Sequence, residues 1–139
     1  MDNPFPTERD QKRRYLFDAV DSVRDVVSAN ADKAEDLRTL PQETVDALYE
    51  TGLFKLKLPT ELGGAEADPV TQIEVYEAMT RIDTSAGWAL IIGAGSLGLA
   101  GGFLPDQAVK HIFVDDGGPK FAGSTAPPGS AVPQEPWCS

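Results

Sequence analysis

Ala86-Gly87-Trp88-Ala89-Leu90-Ile91-Ile92-Gly93-Ala94-Gly95-Ser96-Leu97-Gly98-Leu99-Ala100-Gly101-Gly102-Phe103-Leu104 is the stretch whose reading decides the fold. It is apolar apart from Ser96 and approaches the roughly 20 residues that span a bilayer. Against a membrane span, positions 87, 93, 95, 98, 101 and 102 are glycine, the ends carry no basic cluster or aromatic belt, and the flanking sequence is amphipathic. The stretch is therefore read as the central helix of a mainly α-helical domain, buried on all sides, with small residues that let other elements or a ligand approach its backbone. Gly98 and Gly102, four apart, belong to that close-approach pattern. No membrane partner is expected.

Upstream, Asp68 before Pro69 forms an N-cap and first-turn pair, and Ile73, Val75, Tyr76, Met79 and Ile82 give a broad apolar face to a helix ending near Arg81. Phe54, Leu56 and Leu58 alternate with Lys55 and Lys57, which predicts an extended piece with its lysines in water, before a turn at Gly63-Gly64. A short helix precedes it, with Pro41 at its first position, Val45, Leu48 and Tyr49 as its stripe, and Gly52 as a left-handed stop. From about Thr7 to Leu37, Leu16, Val20, Val23, Val27, Ala31 and Ala34 recur at gaps of three and four, the pattern of one long amphipathic helix. Downstream, Pro105 to Val114 reads as a short helix with Ala108, Ile112 and Phe113 inward, ended by Gly117-Gly118. Phe121 to Thr125 reads as a short strand entering a turn-rich loop.

The 139 residues carry 22 acidic and 12 basic side chains, a formal charge of -10 that repels phosphate backbones, so nucleic acid is not an expected partner. With one cysteine, Cys138, and one histidine, His111, neither a disulfide framework nor a zinc ligand set is available. The N-terminus has no basic region followed by an apolar stretch, and a reduced, cytoplasmic protein is the expectation.

In order and spacing, several motifs resemble the N-terminal helical domain of the acyl-CoA dehydrogenase superfamily of flavoenzymes. They are Gly52-Leu53, then Leu58-Pro59, Glu61 and Gly63-Gly64, then Glu77-Ala78, Arg81, Asp83 and Ser85-Ala86. The resemblance covers about residues 10 to 135. It implies a helical domain over 1–118 and, over 119–139, the first strand and truncated start of a middle β-domain. Where the dehydrogenases carry Thr-Glu-Pro and Gly-Ser-Asp, this chain has Ser124-Thr125-Ala126 and Gly129-Ser130-Ala131, so both acidic residues are missing. That change, the Ala-Pro-Pro-Gly loop and Trp88 look more like the related monooxygenases, which take reduced flavin from a separate reductase and hydroxylate aromatic, steroid or sulfur compounds. Dehydrogenation of an acyl-CoA thioester is the second reading. A non-catalytic helical interaction module and a truncated fragment of the enzyme are readings of another class.

The resemblance implies FMN or FAD as cofactor, with Ser124 and Thr125 at the flavin ring, Trp88 and Ser130 in the pocket of a small-molecule substrate, and a homotetramer for the intact protein. The competing readings are an edge strand with solvent-facing hydroxyls for Ser124 and Thr125, and a core tryptophan for Trp88. The family's catalytic base lies in a C-terminal helical domain, so no catalytic residue is assigned. His111 and Asp115-Asp116 read as solvated, and Arg81 with Asp83 as a cap or ion pair at a helix boundary. The 139 residues alone are expected neither to catalyse nor to hold flavin tightly.

Overall fold

The computed structural model describes residues 3–113 together with 119, 121, 126, 129, 130 and 132. Among the described residues seven α-helices follow in order: α1 Arg9–Ser22, α2 Arg24–Ala29, α3 Ala31–Leu37, α4 Gln42–Glu50, α5 Pro69–Ile82, α6 Thr84–Phe103 and α7 Asp106–Ile112. Two single 3-10 turns, Leu53–Lys55 and Thr60–Leu62, lie between α4 and α5. No strand occurs among the described residues, and of the expected strand at 121–125 only Phe121 lies among them.

The long N-terminal helix is broken twice. Ser22 donates its hydroxyl back to the Ala19 carbonyl (2.8 Å), and Asn30 donates its amide to the Val26 carbonyl (2.9 Å) and the Glu43 carboxylate (3.3 Å). Such side chains compete with the backbone ladder and bend helices. The chain turns at Val23 and at Asn30, where ψ is near zero. The apolar stripe nevertheless survives the bends, since Leu16, Val20, Val23, Val27 and Ala34 are all buried.

The piece after α4 is not extended as expected. Gly52 takes the left-handed conformation (φ 73°), and the 3-10 turn closes with Lys55 N–H donating to the Gly52 carbonyl at 2.8 Å. Leu53, Phe54, Leu56 and Leu58 are all buried, Lys57 is exposed and Lys55 is half-buried. Four apolar side chains within six residues cannot share one face of a strand, and a tight turn buries them together. The segment is pinned from the other side, where Ala65, Glu66 and Ala67 N–H donate to the carbonyls of Lys55, Leu58 and Leu56.

At the start of α5, Asp68 accepts from the N–H groups of Val70 and Thr71 (both 3.2 Å) and from the Thr71 hydroxyl (2.6 Å), with Pro69 in the first turn. Arg9 reaches the same carboxylate at 3.1 Å, and Arg13 meets Glu74 at 2.7 Å, so α1 is strapped along α5. Val75 and Met79 face the core as expected, whereas Ile73 does not and is exposed. In α7, Ala108 and the following Ile112 and Phe113 are half-buried rather than inward-facing, and the Phe113 ring lies 6.1 Å from that of Phe121.

Helix α6 lies against α5 and the 53–62 segment, and it differs from expectation in one respect. It is buried on one side only. Ala86, Gly87, Leu90, Ala94, Leu97 and Ala100 face inward, while Trp88, Ile92, Leu99 and Phe103 are exposed. By length and composition α6 is apolar enough to cross a membrane, though within this fold its inner face is an ordinary core surface. Four of its glycines have a packing reason. A Cβ at Gly87 would strike Thr80, at Gly93 the Phe54 ring, at Gly98 the Lys57 Cβ, and at Gly101 the Leu58 side chain. Gly95 and Gly102 meet nothing within 4 Å and lie on the open side with Leu99 and Phe103.

Candidate functional site

Asp83 sets the geometry of the site. It is extended backbone, and its carboxylate accepts from Ala86 N–H at 2.7 Å, which caps α6 and fixes where its first turns point. Arg81 does not pair with it, because the Arg81 guanidinium is taken by Glu77 at 2.6 Å, one turn back along α5. The expected boundary residues thus play two separate parts, a cap and a surface ion pair.

From that cap, Thr84, Ser85, Trp88 and Ala89 project into an open groove of about 670 Å³. Its other walls are Ala34, Glu35, Arg38 and Thr39 at the end of α3, with Leu40 before α4 and Val45 within it. Trp88 is 66% exposed in this groove. The core reading of Trp88 is therefore wrong. The reason is angular, since Trp88 follows the buried Ala86 and Gly87 by about 100° per residue and is turned out of the α5 contact. A tryptophan indole is large and apolar, and leaving it exposed beside Leu40, Val45 and Ala89 provides a flat surface for another planar group.

The remaining site expectations do not converge here. Ser130 is exposed and is not part of the groove wall. Ser124 and Thr125, expected at a flavin ring, lie outside the described residues, as do Asp115 and Asp116. His111 is exposed near the end of α7 and lies apart from the groove. Among the described residues no group of three or more histidine, cysteine or acidic side chains is placed to hold a metal.

Whether these residues fit a flavin can be tested on the groove itself. A flavin site buries most of its ligand between converging elements. This groove is open along one side, and its polar members are Thr39, Thr84, Ser85, Glu35 and Arg38 at the rim. The described residues thus form a wall and not a flavin cradle.

A second depression, of about 420 Å³, runs between α5 and α6 and is lined by Ile73, Tyr76, Glu77, Thr80, Arg81 and Ile91. The sequence reading took Tyr76 only as part of an apolar face. Its hydroxyl is buried without a hydrogen-bond partner among the described residues, and burial pushes its pKa up to about 12. Burial thus favours the neutral phenol of Tyr76.

Comparison with known proteins agrees with this architecture. The chain is 32% identical over 115 residues to the oxygenase subunit HsaA of a flavin-dependent monooxygenase from Mycobacterium tuberculosis, covering 82% of this chain and 29% of that protein. It is 30% identical over 116 residues to an indole-3-acetate monooxygenase from Pseudomonas putida, covering 83% and 29% respectively. The crystal structure of the M. tuberculosis HsaA monooxygenase superposes with a TM-score of 0.68 at 29% identity, over 76% of this chain and 28% of that one. The chain thus spans less than a third of the length of these relatives. Residues 9–104 match the model of the acyl-CoA dehydrogenase N-terminal domain, and this mainly α-helical chain belongs to that family.

Proposed function

We propose that this chain supplies the N-terminal helical unit of a flavin-dependent oxidoreductase of the monooxygenase branch. Its role there is to form one wall of the substrate pocket. The observation that carries the proposal is the outward-facing Trp88, held over the groove by the Asp83 cap. The likeness to HsaA and to the indole-3-acetate monooxygenase supports the same branch. Bound flavin, FMN or FAD, supplies the oxygen-activating chemistry, and a separate reductase supplies its electrons. The part of this chain is to present an apolar, planar surface to an aromatic substrate and to exclude water from that side. Assembly of the intact enzyme as a tetramer belongs to the same proposal.

The test is a chimera in which this chain replaces the matching N-terminal region of the M. tuberculosis HsaA protein. Given reduced FMN and oxygen, it should hydroxylate an aromatic compound with the new oxygen atom derived from O2, and Trp88→Ala should weaken substrate binding. Reduction of its bound flavin by an acyl-CoA, with no oxygen incorporation, would move the chain to the dehydrogenase branch.

A further inference from the structure

Five of the six arginines have partners within the fold. Arg9 meets Asp68 (3.1 Å), Arg13 meets Glu74 (2.7 Å), Arg24 meets Asp21 (2.6 Å) and Arg81 meets Glu77 (2.6 Å), while Arg14 donates to the Asp10 carbonyl (3.4 Å). Arg38 has neither an ion pair nor a hydrogen bond from its side chain among the described residues, in a chain with 22 acidic groups. It stands at the rim of the Trp88 groove.

Its backbone adds an independent observation. Arg38 ends α3 in the left-handed region, at φ 54° and ψ 28°, with its N–H bonded to the Glu35 carbonyl and Thr39 N–H bonded to the Ala34 carbonyl. That closing pattern is the one in which glycine is the usual residue, because a Cβ is disfavoured there. A long cationic side chain thus occupies a position where the fold itself would be better served by glycine.

We infer that the groove takes an aromatic molecule bearing a carboxylate, with the ring against Trp88 and the carboxylate on Arg38, which makes Arg38 a specificity-determining residue. This rests on the reading of the groove as the substrate pocket. The guanidinium is a planar fork that matches a carboxylate, and Leu40, Val45 and Ala89 supply apolar contact for the ring. Glu35, one turn earlier on the same rim, disfavours a second negative charge on the ligand. The charge of -10 on the whole chain repels anions, so a preference for a carboxylate over its neutral analogue requires a local cation.

The experiment is a titration of the 15N-labelled chain with 1-naphthoate and with the neutral 1-naphthylmethanol, following the Trp88 indole N–H and Arg38 Nε–H resonances. Both ligands should move the Trp88 signal, and naphthoate should bind roughly 5-fold more tightly, as expected for one partly exposed charged contact. Arg38→Gly should bring that ratio to about one and leave the thermal midpoint no lower than that of the parent. Arg38→Asn, which also tolerates the left-handed region, should behave likewise. Equal binding of the two ligands by the parent chain, or a carboxylate preference that survives both variants, overturns the inference while the pocket reading stands. If neither ligand moves the Trp88 resonance, the inference fails, while the pocket reading is decided separately by the chimera with the M. tuberculosis HsaA protein.

Discussion

Helix α6 makes opposite predictions for two glycines eight residues apart. At Gly95 an added Cβ meets nothing within 4 Å, so Gly95→Ala should simply recover helix propensity, a gain of about 0.8–1 kcal/mol. At Gly87 the same atom would overlap the Thr80 hydroxyl and lie 2.8 Å from the Thr80 Cα. The hydroxyl can rotate away, but the Cα is part of the α5 backbone. Carbon atoms settle at about 3.5–4.0 Å, so α5 and α6 would have to part by roughly 0.7 Å or more. Overpacking of this kind costs roughly 1–3 kcal/mol. Because both variants carry the same propensity gain, the difference between them isolates that steric cost. Thermal unfolding followed by circular dichroism reads it directly, at roughly 3–5 °C per kcal/mol for a chain of this size. Gly95→Ala should melt above the parent and Gly87→Ala at least about 3 °C below Gly95→Ala. Equal midpoints for the two variants would refute the close α5–α6 contact.

Further predictions concern the core, the strap between α1 and α5, and flavin. Leu90→Ala, at a fully buried position of α6, should cost about 2–5 kcal/mol in urea unfolding, whereas Leu99→Ala on the exposed side should change stability by no more than about 0.5 kcal/mol. Similar losses for both would contradict one-sided burial. Asp68 is held well below the usual carboxylate range, first by the Arg9 guanidinium and then by the Thr71 hydroxyl, so its charged form is the one the fold favours. The stabilisation it gives is complete above its unfolded pKa of about 4 and is lost as pH falls from there towards the folded value. Asp68→Asn should therefore flatten the loss of stability below about pH 4, and an unchanged acid limb in pH-dependent melting would exclude Asp68 as a source of it. Finally, a single open wall should not hold FMN or FAD tightly, so isothermal titration should give no dissociation constant near 1 μM, about -8 kcal/mol. Binding at that strength or tighter would mean that these residues form a pocket by themselves.

Local chemistry was legible in the sequence wherever one or two residues settle the backbone. Asp68-Pro69 marked the start of α5, Gly52 the left-handed turn, and the gaps of three and four from Leu16 to Ala34 the face that meets the core. The motifs from Gly52 to Ala86 also carried the family, because their order depends on the chain and not on packing. What depends on neighbours was not legible. The breaks at Val23 and Asn30 come from side-chain hydrogen bonds that compete with the helix ladder, and periodicity alone does not register them. The alternation in Phe54 to Leu58 looked extended because period two and a tight apolar turn share the same short pattern. In α6, with glycine and aliphatic residues on every side, nothing in the sequence distinguishes inner from outer face. Only the positions of Thr80, Phe54, Lys57 and Leu58 decide which glycines are needed for contact. Trp88 followed the same rule, since about half a turn of phase separates a core tryptophan from an exposed one, and that phase is fixed by the Asp83 cap and the α5 contact. Arg38 went unnoticed because an exposed arginine looks like any other until its lack of a partner among the described residues and its left-handed backbone are seen together.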